Sequence, residues 1–308
     1  MIADLLLGCC VVGRSSPIVS WLMIDGKVGA MQYDPKVLRK LQLVELGILK
    51  DVDKVCREND ITYFLDSGSV LGAVRHGGFI PWDDDIDIGM PREDYDRFVA
   101  IAQDELGDGY LVSNPENNPH QSAQFTKVML KGTRFVNGET EDAGFEMGVF
   151  IDVLPYDALS SNATQEKKQR RCCFLWQSLS YLRCSGHIVV PHQGVLGSIE
   201  KILCRCAHYV VKRIFSAEAI NAKFDEVARS ANTDDHAKCL LVMSYALSKA
   251  YPETMMLPPR PIIFEGEEFF GPANPIGFLE SLYGDTWNQL PPEHLRRNHA
   301  PKLLEFES

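Results

Sequence analysis

The feature that most constrains this chain is a short acidic segment centred on Asp85, in which aspartates alternate with isoleucines. Side chains alternate along an extended strand, which places Asp83, Asp85 and Asp87 on one face and Ile86 and Ile88 on the other. Three carboxylates on one face repel each other strongly unless cations neutralise them. The segment therefore predicts a strand with a buried apolar face and an acidic face that lines a functional site.

The density of carboxylates also predicts which ion the site would bind. Hard oxygen ligands suit Mg²⁺ or Mn²⁺ rather than zinc, and Asp85 and Asp87 are the predicted ligand pair because they lie within the predicted strand. A second apolar segment, residues 148–154, carries a single acid, Asp152. A lone aspartate in such a segment is costly to bury unless it is paired or binds a metal. We therefore predict that Asp152 is the third carboxylate of one metal site.

Two other interpretations of the acidic segment are weaker. A solvent-exposed acidic run does not explain why Ile86, Ile88 and Met90 interleave with the acids. A calcium-binding EF-hand loop requires glycine at its sixth position and glutamate at its twelfth, and this chain has Ile88 and Asp94 there. The expected flanking element is also a strand rather than a helix.

A phosphate-binding segment is predicted upstream of the acidic strand. Gly68 allows a close approach of backbone N–H groups to a ligand, and Ser69 opens a short predicted helix whose N-terminus offers further donors. Arg75, near the end of that helix, can clamp a phosphate with two hydrogen bonds. The neighbouring His76 is a candidate general base, and a structural hydrogen-bonding role is an equally good interpretation of it.

The hydrophobic pattern divides the chain into three parts. We expect residues 1–31 to be a poorly ordered extension, residues 32–159 an α/β core, and residues 160–308 a helical addition with a tail that returns to the core. The predicted helices cover residues 35–59, 69–76, 91–106, 164–183, 199–215, 216–230 and 275–283. The predicted strands cover residues 61–66, 85–90, 110–113, 124–130, 133–136, 149–154 and 262–264. The fold class is therefore α+β, with a mixed sheet flanked by helices.

Composition narrows the partners and the compartment. The formal net charge of −11 argues against nucleic-acid binding, which normally needs a basic surface. The nine cysteines are odd in number and contain no CxxC pair, so we expect reduced thiols and a cytoplasmic protein. The first thirty residues lack the roughly 20 uninterrupted apolar residues that span a bilayer. A weak peripheral contact at the inner face of the membrane is left open.

Several motifs together resemble the LicD-type transferases, a family that shares its catalytic domain with fukutin and fukutin-related protein. The most specific part is the long run from Leu71 to His76 and from Gly78 to Ile88. The weaker parts are the preceding helix, Tyr33 to Asp60, and two later blocks. The first is Phe150 to Pro155, and the second is a C-terminal block made of Tyr283 to Asp285, Pro291-Pro292, Arg296 and His299. The resemblance thus extends over about residues 33 to 301. The chain departs from it at Ser67-Gly68-Ser69, where bacterial members often have Gly-Gly-Thr.

The resemblance implies a nucleotidyltransferase-like fold, a CDP-linked small alcohol as donor, and a glycan or glycolipid as acceptor. Members of the family attach phosphocholine to teichoic acids, lipopolysaccharides or capsules, and the fukutin relatives transfer ribitol phosphate. The middle helices, residues 160–250, are where members differ, so the acceptor cannot be identified from the sequence.

These observations combine into one mechanistic hypothesis. Mg²⁺ held by Asp85, Asp87 and Asp152 bridges the donor diphosphate, an acceptor hydroxyl attacks the phosphorus that bears the alcohol, and CMP leaves. Asp83 or His76 takes the hydroxyl proton.

Other side chains are expected to assist in the same reaction. Arg75 and Lys127 offset phosphate charge, although a surface role for Lys127 is equally plausible. Arg296 and His299 close the site from the tail, or are ordinary loop residues.

Two alternative functions stay open. One is a nucleotidyltransferase that attacks the α-phosphate of a nucleoside triphosphate, and the other is an inactive glycan- or nucleotide-binding module.

Overall fold

The structure is a computed structural model that describes residues 33–145, 147–186, 190, 192, 194–296, 298 and 300–306. The extension predicted for residues 1–31 and the candidate residue His299 lie outside the described residues.

A mixed sheet forms the centre of the described part of the chain. The strands of the described residues are β1 (Phe64–Leu65), β2 (Asp87–Pro91), β3 (Tyr110–Ser113), β4 (Thr126–Leu130), β5 (Arg134–Val136), β6 (Phe150–Ala158), β7 (Cys239–Val242), β8 (Tyr251–Pro252), β9 (Arg260–Phe264), β10 (Glu267–Gly271) and β11 (Leu303–Glu305). Seven of them form the central sheet, in the order β1-β2-β6-β4-β3, with β7 paired to β6 and to β8. The neighbours β2 and β6 are parallel, and the other pairs in this sheet are antiparallel.

Helices pack against this sheet and against one another. They are α1 (Pro35–Glu58), α2 (Ser67–His76), α3 (Arg92–Leu106), α4 (Gly138–Ala143), α5 (Ala163–Cys184), α6 (Gly194–Ile214), α7 (Ala217–Ala228), α8 (Glu253–Met256) and α9 (Pro275–Tyr283). The α1 and α3 helices contact each other and β6, while α5 contacts α6 and α7. The predicted mixed sheet flanked by helices is therefore confirmed, including the helical addition in the second half.

The first helix shows why the sequence folds as it does locally. Asp34 accepts a hydrogen bond from the Lys36 N–H at 2.8 Å, and Pro35 occupies the first helical position, where it loses no intrahelical bond. The apolar residues recur at helical spacing and bury one face, although the same face also buries Gln42 and Glu45. Two polar side chains on a core-facing stripe need partners, and both lie beside the acidic segment.

One detail of the predicted acidic strand is wrong. Asp85 does not belong to a strand, because β2 begins at Asp87 and residues 83–86 have irregular backbone. The reason is that β1 pairs only with Ile88 and Gly89, and the β6 ladder begins opposite Asp87. The Ile86 carbonyl still accepts a hydrogen bond from the Asp152 N–H at 2.9 Å. Ile86, Ile88 and Met90 are fully buried, as the alternation predicts.

The second half contains the predicted strand at residues 262–264, which lies within β9, and further strands that the hydrophobic pattern does not show. The β7 strand extends the sheet alongside β6, and β10 forms a separate hairpin with β9. Glu265 and Gly266 form the two-residue hairpin turn and both have positive φ, as the turn type that suits right-handed strand twist requires. The last strand, β11, pairs with β5, so the tail lies against the core.

Candidate active site

The centre of the candidate site is a row of three cross-strand neighbours. Asp87 on β2 is opposite Asp152 on β6, and Asp152 is opposite Lys127 on β4. Neighbouring strands lie about 4.8 Å apart, and residues in register project to the same face of a sheet. The three side chains therefore stand side by side on one face, although 65 residues separate the two aspartates in the chain.

Lys127 neutralises one of these carboxylates. Its Nζ lies 2.6 Å from Asp152 Oδ1, and both side chains are mostly buried. The same ammonium group lies over the Phe150 ring at 3.8 Å from the ring centroid. These contacts fix the lysine within the site, so its interpretation as a surface residue is wrong.

Asp87 is the electrostatically least favourable member of the row. Burial raises the pKa of its carboxyl group well above the ordinary value, and the neighbouring Asp85, Asp152, Asp66 and Asp83 raise it further. The carboxylates are thus close enough to repel each other, and a bound cation would relieve that repulsion.

The irregular segment that carries Asp83 and Asp85 is held from several sides. Gln42 on α1 donates to the Asp83 carbonyl at 2.9 Å, and Tyr33 donates to Asp84 Oδ2 at the same distance. On the other side, a Cβ atom at Gly68 would lie 2.8 Å from Asp83 Oδ2. The glycine therefore admits the Asp83 carboxylate against the first turn of α2, which is a steric role in addition to the predicted phosphate contact.

Glu45 is a further acid of this cluster that sequence reasoning missed. Its side chain is 2% exposed, and its Oε2 has no hydrogen-bond partner. Burial and the charges of Asp85, Asp84, Asp83 and Asp152 raise the pKa of its carboxyl group well above the ordinary value. A signal existed in the sequence, because a glutamate on the apolar stripe of an amphipathic helix requires a reason to be there.

These observations bear on whether the site fits a metal ion. Among the described residues, no three Asp, Glu, His or Cys side chains already have the geometry of a formed metal site. The donor set nevertheless consists of hard carboxylate oxygens, one of them a buried and unpaired oxygen of Glu45. Mutually repelling carboxylates with an orphaned buried acceptor fit Mg²⁺ or Mn²⁺.

The start of α2 lies beside the row and is built around Asp66. Its side chain accepts hydrogen bonds from the Ser67 N–H at 2.7 Å and from the Tyr156 hydroxyl at 2.9 Å, and burial raises the pKa of its carboxyl group to about 6. The Ser69 hydroxyl accepts a hydrogen bond from the Asp87 N–H at 3.0 Å. Ser69 thus positions the backbone of a predicted ligand, and its own hydroxyl proton remains available to a phosphate oxygen.

Arg75 and His76 lie at the far end of α2. The Arg75 guanidinium donates to the carbonyls of Trp287 and Gln289 at 3.0 and 3.2 Å, and its Nε donates to His76 Nε2 at 2.9 Å. Burial and the neighbouring Arg75 charge lower the pKa of His76. Arg75 therefore binds the tail, and His76 is a hydrogen-bond acceptor that is exposed to solvent.

The tail reaches the rim of the acidic segment through Arg296. Its guanidinium lies over the Trp82 ring at 4.7 Å, and its Nε donates to the Pro291 carbonyl at 3.1 Å. Trp82 immediately precedes Asp83, so Arg296 is near the site but bonded within the tail. Burial and the charges of the nearby aspartates raise the pKa of two tyrosines, Tyr245 and Tyr283, to which the sequence analysis gave no role in the site.

Comparison with known proteins identifies the family of this chain. A family model described as the nucleotidyltransferase domain of LicD, FKTN and FKRP matches residues 60–172, which include the acidic segment and Asp152. Over 267 residues the chain is 30% identical to the lipopolysaccharide cholinephosphotransferase LicD of Haemophilus influenzae, and the match covers 85% of this chain and 95% of that protein. The chain belongs to the LicD family. It is a transferase, as the sequence analysis predicted.

Shorter matches link this chain to eukaryotic relatives. The human ribitol 5-phosphate transferase FKRP is 56% identical over 47 residues, which is 15% of this chain and 10% of FKRP. The mouse ribitol-5-phosphate transferase FKTN is 30% identical over 83 residues, or 27% of this chain and 16% of FKTN. These relatives are named as transferases of two different phospho-alcohols, so family membership alone leaves the alcohol open.

Proposed function

We propose that this protein transfers a phospho-alcohol, such as phosphocholine, from a CDP-linked donor to a hydroxyl group of a cell-surface glycan. The observation that carries the proposal is the register of Asp87 against Asp152, which puts two carboxylates side by side next to Asp85. This arrangement suits phosphoryl transfer, in which the protein mainly positions reactants and offsets charge. The names of the relatives support a phospho-alcohol and a glycan acceptor.

The carboxylates would hold the metal ion. Asp85, Asp87 and Asp152 are its proposed ligands, and when bound it supplies positive charge for the donor diphosphate. Lys127 holds Asp152 in place through its 2.6 Å contact and adds a second positive charge next to the phosphates. The Ser69 hydroxyl accepts a hydrogen bond from the Asp87 N–H, which holds the backbone of this proposed ligand in position.

The acceptor reacts at the phosphorus that bears the alcohol. A new bond forms between the acceptor oxygen and that phosphorus, the bond to the CMP oxygen breaks, and the acceptor proton goes to a base. Asp83 is a better candidate for this base than His76. Asp83 lies against the first turn of α2, whereas His76 is seven residues beyond Ser69, roughly 10 Å along the helix.

Product analysis tests the proposal. The protein is incubated with Mg²⁺ and CDP-choline, CDP-ribitol or CDP-glycerol, together with lipopolysaccharide or a teichoic acid, and CMP is quantified. We expect CMP and a labelled glycan with one of the donors, and no CMP from the Asp85→Asn variant. Pyrophosphate release from a nucleoside triphosphate would instead indicate nucleotidyl transfer. Tight nucleotide binding without turnover would indicate a binding module.

A further inference from the structure

The outer face of α6 is apolar although it faces solvent. Val195 is 80% exposed, Ile202 63% and Ile214 65%. The other exposed apolar residues of this helix are Leu196, Ile199, Leu203, Tyr209 and Val210. Together with the exposed Cys206 they recur every three or four residues, so they form one continuous stripe. At 21 residues the helix is about 30 Å long.

The opposite face of α6 attaches the helix to the protein. Gly197, Glu200 and Val211 are buried there, and Val211 packs in a small cluster with Leu179 and Leu182 of α5. Glu200 is paired with the His192 ring at 2.7 Å. The inward face is therefore already occupied, and the exposed stripe belongs to none of the hydrophobic clusters formed by the described residues.

A basic flank runs along the exposed stripe. Lys201, Arg205 and Lys212 are four and seven residues apart, which puts them on one side of the helix, and all three are exposed. Arg213 lies within the stripe itself. The helix thus carries four cations and one buried acid in a chain whose formal net charge is −11. The positive charge is concentrated where the apolar stripe meets solvent.

We propose that α6 docks the protein on an anionic membrane surface, with the helix lying in the plane of the bilayer interface. An apolar stripe beside exposed lysines and arginines is the arrangement that inserts between lipid headgroups and attracts anionic lipids. No described helix is long and apolar enough to cross a bilayer. A second copy of the chain is a poorer occupant, since lysine is depleted at protein interfaces and two basic flanks repel.

The docking surface lies outside the segment that the family model matches. The matching family model ends at residue 172, before α6 begins. The geometry of α6 alone supports membrane docking. The further idea, that docking brings the enzyme to an acceptor glycan on a lipid anchor, rests on the proposed function.

Vesicle flotation with the full-length protein tests the docking. We expect binding to vesicles of phosphatidylcholine with phosphatidylglycerol, and little binding to phosphatidylcholine alone. Ile202→Glu places a charge in the apolar stripe and should abolish binding. The double variant Lys201→Gln/Lys212→Gln should weaken binding roughly thirtyfold, because each basic residue near an anionic surface contributes about 1 kcal/mol. Leu43→Glu on α1 replaces another half-exposed aliphatic residue of a helix; it is the matched control and should bind as wild type.

The outcomes separate docking from catalysis. Equal vesicle binding by wild type and Ile202→Glu, or equal binding to neutral and anionic vesicles, overturns the docking. A dimer in solution that Ile202→Glu dissociates also overturns it, in favour of an interface between copies. Slow CMP release from the donor in water should be unchanged in Ile202→Glu, whereas Asp85→Asn should lose it and still bind vesicles.

Discussion

At the scale of single residues, the site consists of acids that destabilise one another. Asp87 and Glu45 both have carboxyl groups whose pKa is raised by burial and by neighbouring aspartates. Asp152 differs because Lys127 offsets its charge. A fold that keeps such a cluster loses stability in the absence of a cation, which is the usual sign that the residues serve binding or catalysis.

The first prediction concerns Asp87→Asn. Without metal we expect the melting temperature to stay the same or rise, because the variant removes a buried charge that its neighbours repel. With Mg²⁺ and donor we expect transfer to fall at least about a hundredfold, since metal stabilisation of phosphate charge is worth several kcal/mol. Calorimetry in EDTA and CMP release in Mg²⁺ provide the two measurements.

Asp152→Asn is the matched comparison for that prediction. It should lose transfer to a similar extent but should also lower the metal-free melting temperature, because Lys127 is left partly buried without its partner. Full activity of Asp87→Asn, or activity of the wild type in EDTA, would contradict a metal-dependent mechanism.

The same raised pKa gives a pH dependence. A carboxyl group whose pKa is higher in the folded state binds protons more tightly there than in the unfolded chain, so stability falls as pH rises above the ordinary value of about 3.9. In EDTA we therefore expect the wild type to lose stability from about pH 4 upward more steeply than Asp87→Asn. Urea unfolding at several pH values measures the difference, and parallel curves would show that Asp87 contributes nothing.

Glu45 allows a test that does not depend on turnover. We expect Glu45→Gln to weaken Mn²⁺ binding about tenfold, the lower range for a residue that supports a metal site, while the metal-free melting temperature stays within about 2 °C. Electron paramagnetic resonance of free Mn²⁺ gives the affinity directly. The matched control is Glu58→Gln, at the exposed end of the same helix, which should bind Mn²⁺ as wild type. Unchanged affinity in Glu45→Gln would restrict the site to the aspartates.

At the scale of helices and strands, a buried ion pair within the core is linked to the second half of the chain through Asn232. Arg92 at the start of α3 makes two hydrogen bonds to Asp157 on β6, at 2.7 and 2.5 Å, and Asn232 donates to the same aspartate at 2.9 Å. Asp157 is fully buried and Arg92 is 9% exposed. Neither the Asp157 carboxylate nor the Arg92 guanidinium faces the candidate site, so this ion pair stabilises the fold.

We predict that Asp157→Asn destabilises the protein by about 3 kcal/mol, the low end for a broken buried pair, because Arg92 keeps only its longer contacts to Asp96 and Asp225 at 4.0 and 3.6 Å. Urea denaturation measures the change. The control is Glu305→Gln, which breaks the exposed Arg134–Glu305 pair and should cost less than about 1 kcal/mol. Similar losses in the two variants would show that the buried pair is not a special contribution.

The elements that the sequence predicted well are those with a strong local signal. The first turns of α1 and α7 follow from their N-caps, Asp34 and Ser216. Both limits of α9 follow from Asn274-Pro275 at its start and Gly284 after its last residue. The strands that were missed, such as β7 and β11, are short and take their stability from distant partners. The strand predicted at Asp85 is wrong for the opposite reason. The alternating pattern around Asp85 is regular, but the pairing of β2 with β6 begins only at Asp87.

The candidate site divides in the same way. Asp87 and Asp152 could be predicted to meet because each is an acid inside an apolar strand. Glu45 and Tyr283 could not be assigned from spacing, since only the tertiary fold brings α1 and α9 to the acidic segment. Arg75 was assigned to a phosphate, and its bonds to Trp287 and Gln289 become visible only when the tail is in place.

At the scale of the whole molecule, the tail passes the acidic segment at Arg296 and then pairs with the core through β11. It is held by Arg75 near the site and by the pairing of β11 with β5 farther along. Arg296 over Trp82 is a third contact. The site is therefore bordered by residues from both ends of the described chain.

The last prediction separates two roles of Arg75, as a clamp for the tail and as a ligand for phosphate. If Arg75 positions the tail, Arg75→Ala should speed proteolysis within residues 284–300 and also lower CMP release, because the Trp287 and Gln289 carbonyls lose the donor that holds them. If Arg75 only binds phosphate, the same variant should raise KM for the donor and leave proteolysis unchanged. Arg134→Ala is the matched control, since it removes another tail contact, one that is 60% exposed. It should change neither rate, and faster cleavage in that variant would mean that the tail responds to any lost contact rather than to Arg75.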